Sequence, residues 1–133
     1  MKTMTRTQEY QAIVIQPQGH LDLQGGRVLR EQLAGLVPQP QDLWVIDLAQ
    51  VDFLDSSGLV ALVTGLKAAL QSGCRLVLCN LQAPVRIIFE LTQLDSVFEI
   101  YESYEAFLTP IQNSKFKIQN KWFSLLDLSM EKK

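Results

Sequence analysis

Two carboxylates and two adjacent hydroxyls, Asp52, Asp55, Ser56 and Ser57, lie within Val51-Asp52-Phe53-Leu54-Asp55-Ser56-Ser57-Gly58-Leu59, with Gly58 directly behind the second hydroxyl. A hydroxyl can carry a phosphate, and carboxylates beside it set the charge of the surface that the phosphate joins. The chemistry suggested is a protein surface switched by a phosphate. Upstream, Leu43-Trp44-Val45-Ile46-Asp47-Leu48 is a short apolar run suited to a central strand covered on both faces. Downstream, Leu59, Leu62, Val63, Leu66 and Leu70 recur at three- and four-residue spacings as one helical stripe, and Gly73 falls where a left-handed cap would end the helix. Together these elements place the hydroxyls at a helix N-terminus.

A helix start explains some of these residue types without any function. The first amides of a helix lack partners, and a Ser or Asp side chain accepts from them. One such side chain suffices, however, and here Asp55, Ser56 and Ser57 stand in a row. Gly58 leaves the approach to Ser57 open and costs about 1 kcal/mol relative to Ala inside a helix. A local sacrifice of stability at one point often marks a functional site.

The segment resembles the STAS domains, and specifically the anti-sigma-factor antagonists, whose signature is Asp-Ser-Ser/Thr-Gly at the start of a helix. The likeness extends from about Tyr10 to Ile111. Gly19-His20-Leu21-Asp22, followed by a helix with Leu29 and Leu33, is similar to the family's second strand and first helix. Arg75–Leu81 looks like its fourth strand, Pro84–Thr92 like the next helix, Val97–Tyr101 like the last strand and Ser103–Leu108 like the closing helix. The resemblance implies a mixed sheet of about four to five strands, mostly parallel at its centre, packed with about four helices.

It also implies roles. Ser57, the hydroxyl just before the glycine, is the phosphate acceptor. Asp22, Asp52, Asp55, Ser56, Gly58, Leu59 and Val60 form the switch surface around it, with Leu59 or Val60 turned outward for apolar contact. The unmodified protein would bind an anti-sigma kinase and free a sigma factor; phosphorylation at Ser57 would end that binding, and a serine phosphatase would restore it. The kinase would supply ATP, metal and the group that orients the hydroxyl. This chain has no Gly-rich phosphate loop with Lys and no full metal-ligand set, so it is expected to be neither an enzyme nor a cofactor carrier. Plainer roles stand beside these: Ser56 as a packing hydroxyl, Asp55 as a cap, Asp22 and Asp52 as exposed turn acids.

Strand-like and helix-like stretches alternate along the chain, which argues for an α/β layer arrangement. Gln11–Gln16, Gly19–Leu21, Leu43–Leu48, Arg75–Asn80 and Val97–Tyr101 read as strands. Gly25–Leu36, Ser57–Ser72, Pro84–Thr92 and Ser103–Gln112 read as helices, the third with proline in its tolerated first turn. At 133 residues, 47% hydrophobic and 20% charged, the chain suits one domain over 10–112, with a flexible 1–9 before it. Apolar runs are far shorter than the roughly 20 residues of a membrane span, and residues 1–8 lack a hydrophobic signal region, so a cytoplasmic protein is expected.

Residues 114–133 hold five lysines and two acids, a surplus of three, so the remainder carries −5 of the overall −2. An acidic body disfavours binding to a nucleic-acid backbone. The 113–133 extension is also apolar, and Trp122, Leu125, Leu126 and Ser129 have helical spacing. A docked extra helix, a basic helix lying on a membrane surface, and order induced by a partner all fit that pattern. Cys74 and Cys79 lie across one strand, roughly 16 Å apart at about 3.3 Å per residue, too far for the ~7 Å limit of a disulfide.

Rival readings fare less well. A receiver domain needs an acidic pair after its first strand and a lysine after its fourth. A serine hydrolase needs a Gly-x-Ser-x-Gly elbow and a base, and His20 is the one histidine. The alternative that remains open is a phospho-regulated adaptor of the same fold whose pathway has no sigma factor.

Overall fold

The structure, a computed structural model, describes residues 10–36, 40, 42–103 and 116–121. Its centre is a five-stranded sheet in the order β6 (Glu99–Tyr101), β5 (Arg75–Cys79), β3 (Leu43–Asp47), β1 (Tyr10–Ile15) and β7 (Phe116–Lys121). Every neighbouring pair is parallel. All five residues of β3 are buried, as an unbroken apolar run in a central strand requires. One face, bearing Ile13, Ile15, Trp44, Ile46, Leu76 and Leu78, meets helices α1 (Leu23–Ala34), α2 (Ser56–Gln71) and α3 (Ala83–Leu91) in the main core. The opposite face carries Ala12, Val14, Leu43, Val45, Val77 and Cys79, with Tyr101 packed against them.

Two short strands, β2 (Gly19–Leu21) and β4 (Val51–Leu54), pair in parallel as a separate small sheet. β2 follows β1 after Gln16-Pro17-Gln18, and β4 follows β3 after Leu48-Ala49-Gln50, so this sheet continues from the carboxyl ends of the main one. Asp47 makes the break. Its buried carboxylate accepts from the Ala49 amide at 3.0 Å, the Asn80 amide at 3.0 Å and the Gln16 amide at 3.2 Å, turning the chain at the end of β3. Gln82 fixes the same corner by donating to the Ala49 carbonyl at 2.7 Å.

The expected α/β architecture is present, with differences of physical origin. Val51–Leu54, absent from the expected strands, forms β4. No antiparallel pairing occurs among the described residues, so the mixed sheet is all parallel there. Asn80, at φ 61°, ends β5 one residue early, and a 3-10 turn at Leu94–Ser96 delays β6 to Glu99. Three of the expected helices are described; the fourth, Ser103–Gln112, falls almost wholly outside the described residues. Phe116–Lys121 of the extension is a strand, aligned with β1 from Tyr10 opposite Phe116 to Ile15 opposite Lys121. The helical spacing read from Trp122 onward lies outside the described residues.

α2 buries only part of the face expected, and more of its small residues. Gly58, Ala61, Leu62, Gly65 and Ala69 are buried, whereas Leu59, Val63 and Leu66 are only partly so and Leu70 is 63% exposed. The small residues are there because α2 lies between the sheet and α1. A Cβ on Gly65 would stand 2.7 Å from Leu33 Cδ1, and one on Gly26 would stand 3.1 Å from the Ser57 carbonyl oxygen. The expected left-handed cap is present at Gly73, φ +73°, with Gly73 N–H donating to Leu70 O and Cys74 N–H to Ala69 O. Cys74 and Cys79 are both buried and form no disulfide with each other.

Candidate switch site

Asp22 ends β2 and opens α1; Asp55 ends β4 and opens α2. Each sits in extended backbone at the N-cap. Asp22 Oδ1 accepts from Gly25 N–H at 2.9 Å, and Asp55 Oδ1 accepts from Gly58 N–H at 3.1 Å. These bonds satisfy amides that the helices leave open, and carboxylates at this position also favour the positive end of the helix dipole. Because β2 and β4 are paired, with Leu21 opposite Leu54, the two helix starts lie side by side. The Asp55 amide donates across to Leu21 O at 3.3 Å.

Gly58 permits this approach. A Cβ there would lie 2.1 Å from Leu21 O and 2.7 Å from Leu54 Cδ1, so the first turn of α2 rests directly on the β2 backbone. The glycine is a packing requirement more than an opening onto Ser57. Gly26 gives α1 the same closeness to the Ser57 carbonyl.

Asp55 takes the cap, which leaves both serines free of that duty. Ser56 is exposed and Ser57 half-buried, and neither hydroxyl makes a hydrogen bond among the described residues. Asp22 and Asp55 line one open cleft of about 460 Å³ together with Leu23, Gln24 and Arg27. Ser56, Ser57 and Asp52 are not among the lining residues. Asp52 projects from β4 to within 3.5 Å of His20 Nε2, both side chains 61% exposed. The His20 ring in turn meets the Phe53 ring edge-on at a centroid distance of 5.3 Å. Val60 is 53% exposed, whereas Leu59 packs partly against the core, so of the two only Val60 is strongly exposed.

Sequence reasoning missed Phe53, at 46% exposure, and Leu23, at 63%, which add to the exposed apolar surface contributed by these segments. It also missed His20, Gln24 and Arg27. A signal for the α1 end was available: Leu-Asp-x-x-Gly occurs at 21–25 and again at 54–58, marking two equivalent strand-to-helix corners.

Among the described residues no helix is long and apolar enough to cross a membrane, and no group of three or more His, Cys, Asp or Glu side chains is placed to hold a metal ion. The family model described as "Mlab, STAS domain" matches residues 4–102. The chain is 33% identical over 88 residues to the anti-sigma-B factor antagonist of Bacillus subtilis, covering 66% of this chain and 80% of that protein. It is 33% identical over 89 residues to BtrV of Bordetella bronchiseptica, covering 67% of this chain and 77% of that protein. In fold it superposes on a sulfate transporter family protein from Wolinella succinogenes with a TM-score of 0.67 at 12% identity, over 77% of this chain and 88% of the other. The family resemblance carried by Asp55–Gly58 is thus borne out along most of the described fold, and the chain belongs to the STAS domain family.

Proposed function

We propose that this protein is an anti-sigma factor antagonist whose unmodified form binds an anti-sigma kinase, so that a sigma factor is freed, and whose binding ends when Ser57 is phosphorylated. The observation that carries the reading is the division of labour at the start of α2. Asp55 satisfies the helix amide, so Ser57 is left as a hydroxyl with no structural bond, and Phe53 and Val60, four residues before it and three after, are exposed. The relative named as an anti-sigma-B factor antagonist supports the sigma-directed output.

In this reading Ser57 Oγ attacks the γ-phosphorus of ATP held by the partner. The Oγ–P bond forms as the bond from phosphorus to the β–γ bridging oxygen breaks, and the hydroxyl proton passes to a base of the partner. The new group adds about −1.5 to −2 charges. The start of α2 favours that charge by roughly 0.3–1 kcal/mol, while the Asp55 and Asp22 carboxylates oppose it through well-solvated surroundings, so the fold itself tolerates it. An interface does not. A charge buried against apolar groups without a partner costs several kcal/mol, which lowers affinity by orders of magnitude. A serine phosphatase acting on Ser57 resets the surface, and the protein acts by protein contact, with no direct hold on nucleic acid.

The test uses wild type, Ser57→Ala and Ser57→Asp as baits in native extract, followed by ATP-dependent phosphorylation with the retained partner. A kinase-like ATPase held by Ala, lost with Asp, and able to phosphorylate wild type but not Ala is expected. The same proteins on all three baits would refute the switch.

A further inference from the structure

The cleft between the starts of α1 and α2 holds three charged side chains, and two are already committed: Asp22 and Asp55 cap their helices. The third, Arg27, is not. It is exposed and makes no ion pair or hydrogen bond among the described residues. Its position is set by its neighbour. Gly26 brings α1 to within 3.1 Å of the Ser57 carbonyl oxygen, measured from a Cβ built on the glycine. The residue that follows leaves α1 close to the first turn of α2 and lines the same cleft as Asp55, two residues before Ser57.

We propose that Arg27 receives the phosphate of phosphorylated Ser57 within the same molecule, turning from the cleft wall toward α2 to form a guanidinium–phosphate pair across the starts of α1 and α2. The inference rests on Ser57 being the modified hydroxyl and adds how the modification reshapes the surface. In the unmodified protein the cleft is open, with two carboxylates and a free guanidinium on its walls. Once the phosphate is present, the guanidinium is engaged and is no longer offered to a partner in the cleft. Arginine suits this role because its planar fork can give a phosphate two parallel hydrogen bonds, which lysine cannot do. Release then has two causes, the added charge and the loss of the free guanidinium.

The experiment places phosphoserine at position 57 by genetic encoding, so that no kinase is needed, and follows its second ionisation by phosphorus NMR in the full chain. Wild type is compared with Arg27→Gln, Arg27→Lys and, as a control on the same helix, Arg30→Gln, with thermal melts confirming that each variant folds. An ion pair at about 4 Å in a solvated site lowers the phosphate pKa by roughly half a unit to one unit, so Arg27→Gln should raise it by that amount. Arg27→Lys should restore part of the shift, and Arg30→Gln should leave the wild-type value. Equal values in wild type and Arg27→Gln would overturn the pairing, as would an equal rise in Arg30→Gln, which would mean that net charge alone acts. Because the phosphoserine is encoded, a failed pairing leaves the kinase reading standing, and a kinase that ignored Ser57 would leave the pairing measurable.

Discussion

Gly58→Ala is the perturbation whose size the structure specifies best. The added methyl would sit 2.1 Å from Leu21 O, against the roughly 3.4 Å at which ordinary contact begins, so the first turn of α2 must retreat by more than about 1 Å. Leu54 Cδ1, at 2.7 Å, can turn aside. Leu21 O cannot, because it belongs to a strand paired with β4 and accepts from the Asp55 amide. Overpacking costs about 1–3 kcal/mol, and a clash with backbone belongs at the top of that range. Alanine in place of glycine returns about 1 kcal/mol of helix propensity. The net expectation is a loss of about 2 kcal/mol, which for a domain of this size lowers Tm by roughly 6–10 °C. Urea and thermal unfolding should be read beside Gly35→Ala. There the backbone is right-handed helical, φ −79°, and the nearest atom to a built Cβ is 3.5 Å away, so little change or a slight gain is expected. If Gly58→Ala unfolds at the same urea concentration as Gly35→Ala, the close approach of α2 to β2 is not what the glycine serves.

Further outcomes follow from the same geometry. Asp22→Ala and Asp55→Ala should each cost about 1 kcal/mol in urea unfolding, while Asp55→Asn, which keeps an accepting oxygen at the cap, should cost only tenths; an unaffected Asp55→Ala would remove the capping argument. Asp47→Ala strands the Gln16, Asn80 and Ala49 donors at a buried corner and should cost roughly 2–4 kcal/mol, against near-wild-type stability if those bonds are incidental. Burial first, and the Asp42 carboxylate second, push the Cys74 thiol up, so less thiolate is present at neutral pH; a colorimetric thiol reagent should react slowly with the native chain, faster as pH rises, and fastest in urea. Ending the chain before Phe116 bares the apolar edge of β1, and light scattering should then find a larger mean mass than for the full chain, rising with concentration.

Much of the switch was legible because its signals are local. A strand-like run, an acid, two hydroxyls and a glycine lie within nine residues, and cap chemistry alone puts Ser57 near the start of a helix. Asp22 was reached through the family likeness, although the repeated Leu-Asp-x-x-Gly corner was a physical pointer to it. Arg27 and Leu23 were out of reach, since their relation to Asp55 depends on how closely α1 approaches α2 through Gly26 and Gly65. The same approach shifted the buried face of α2: counting leucines selects Leu70 along with Leu62, whereas a helix wedged between two neighbours also buries its glycines and alanines. In the tail, Phe116 and Ile118 alternate with Lys117 and Gln119, a two-residue period that marks a strand, but the aromatic and leucine-rich stretch after Lys121 outweighs it on composition. The pairing of β4 was hidden because its partner, β2, is about thirty residues away in sequence, and pairing at that distance leaves no local trace.

The in-register, parallel pairing of β1 with β7 gives the molecule a direction useful for instrumentation. Tyr10 and Phe116 share one end of the sheet, Ile15 and Lys121 the other, and the latter is the end from which β2 departs toward Asp22. A label joined immediately after Lys121 therefore starts on the switch side, whereas one joined just before Tyr10 starts a strand's length away, about 20 Å at 3.3 Å per residue. Tethering to beads or sensor chips should use the leading end, and distance-reporting dyes for partner arrival belong at the trailing one.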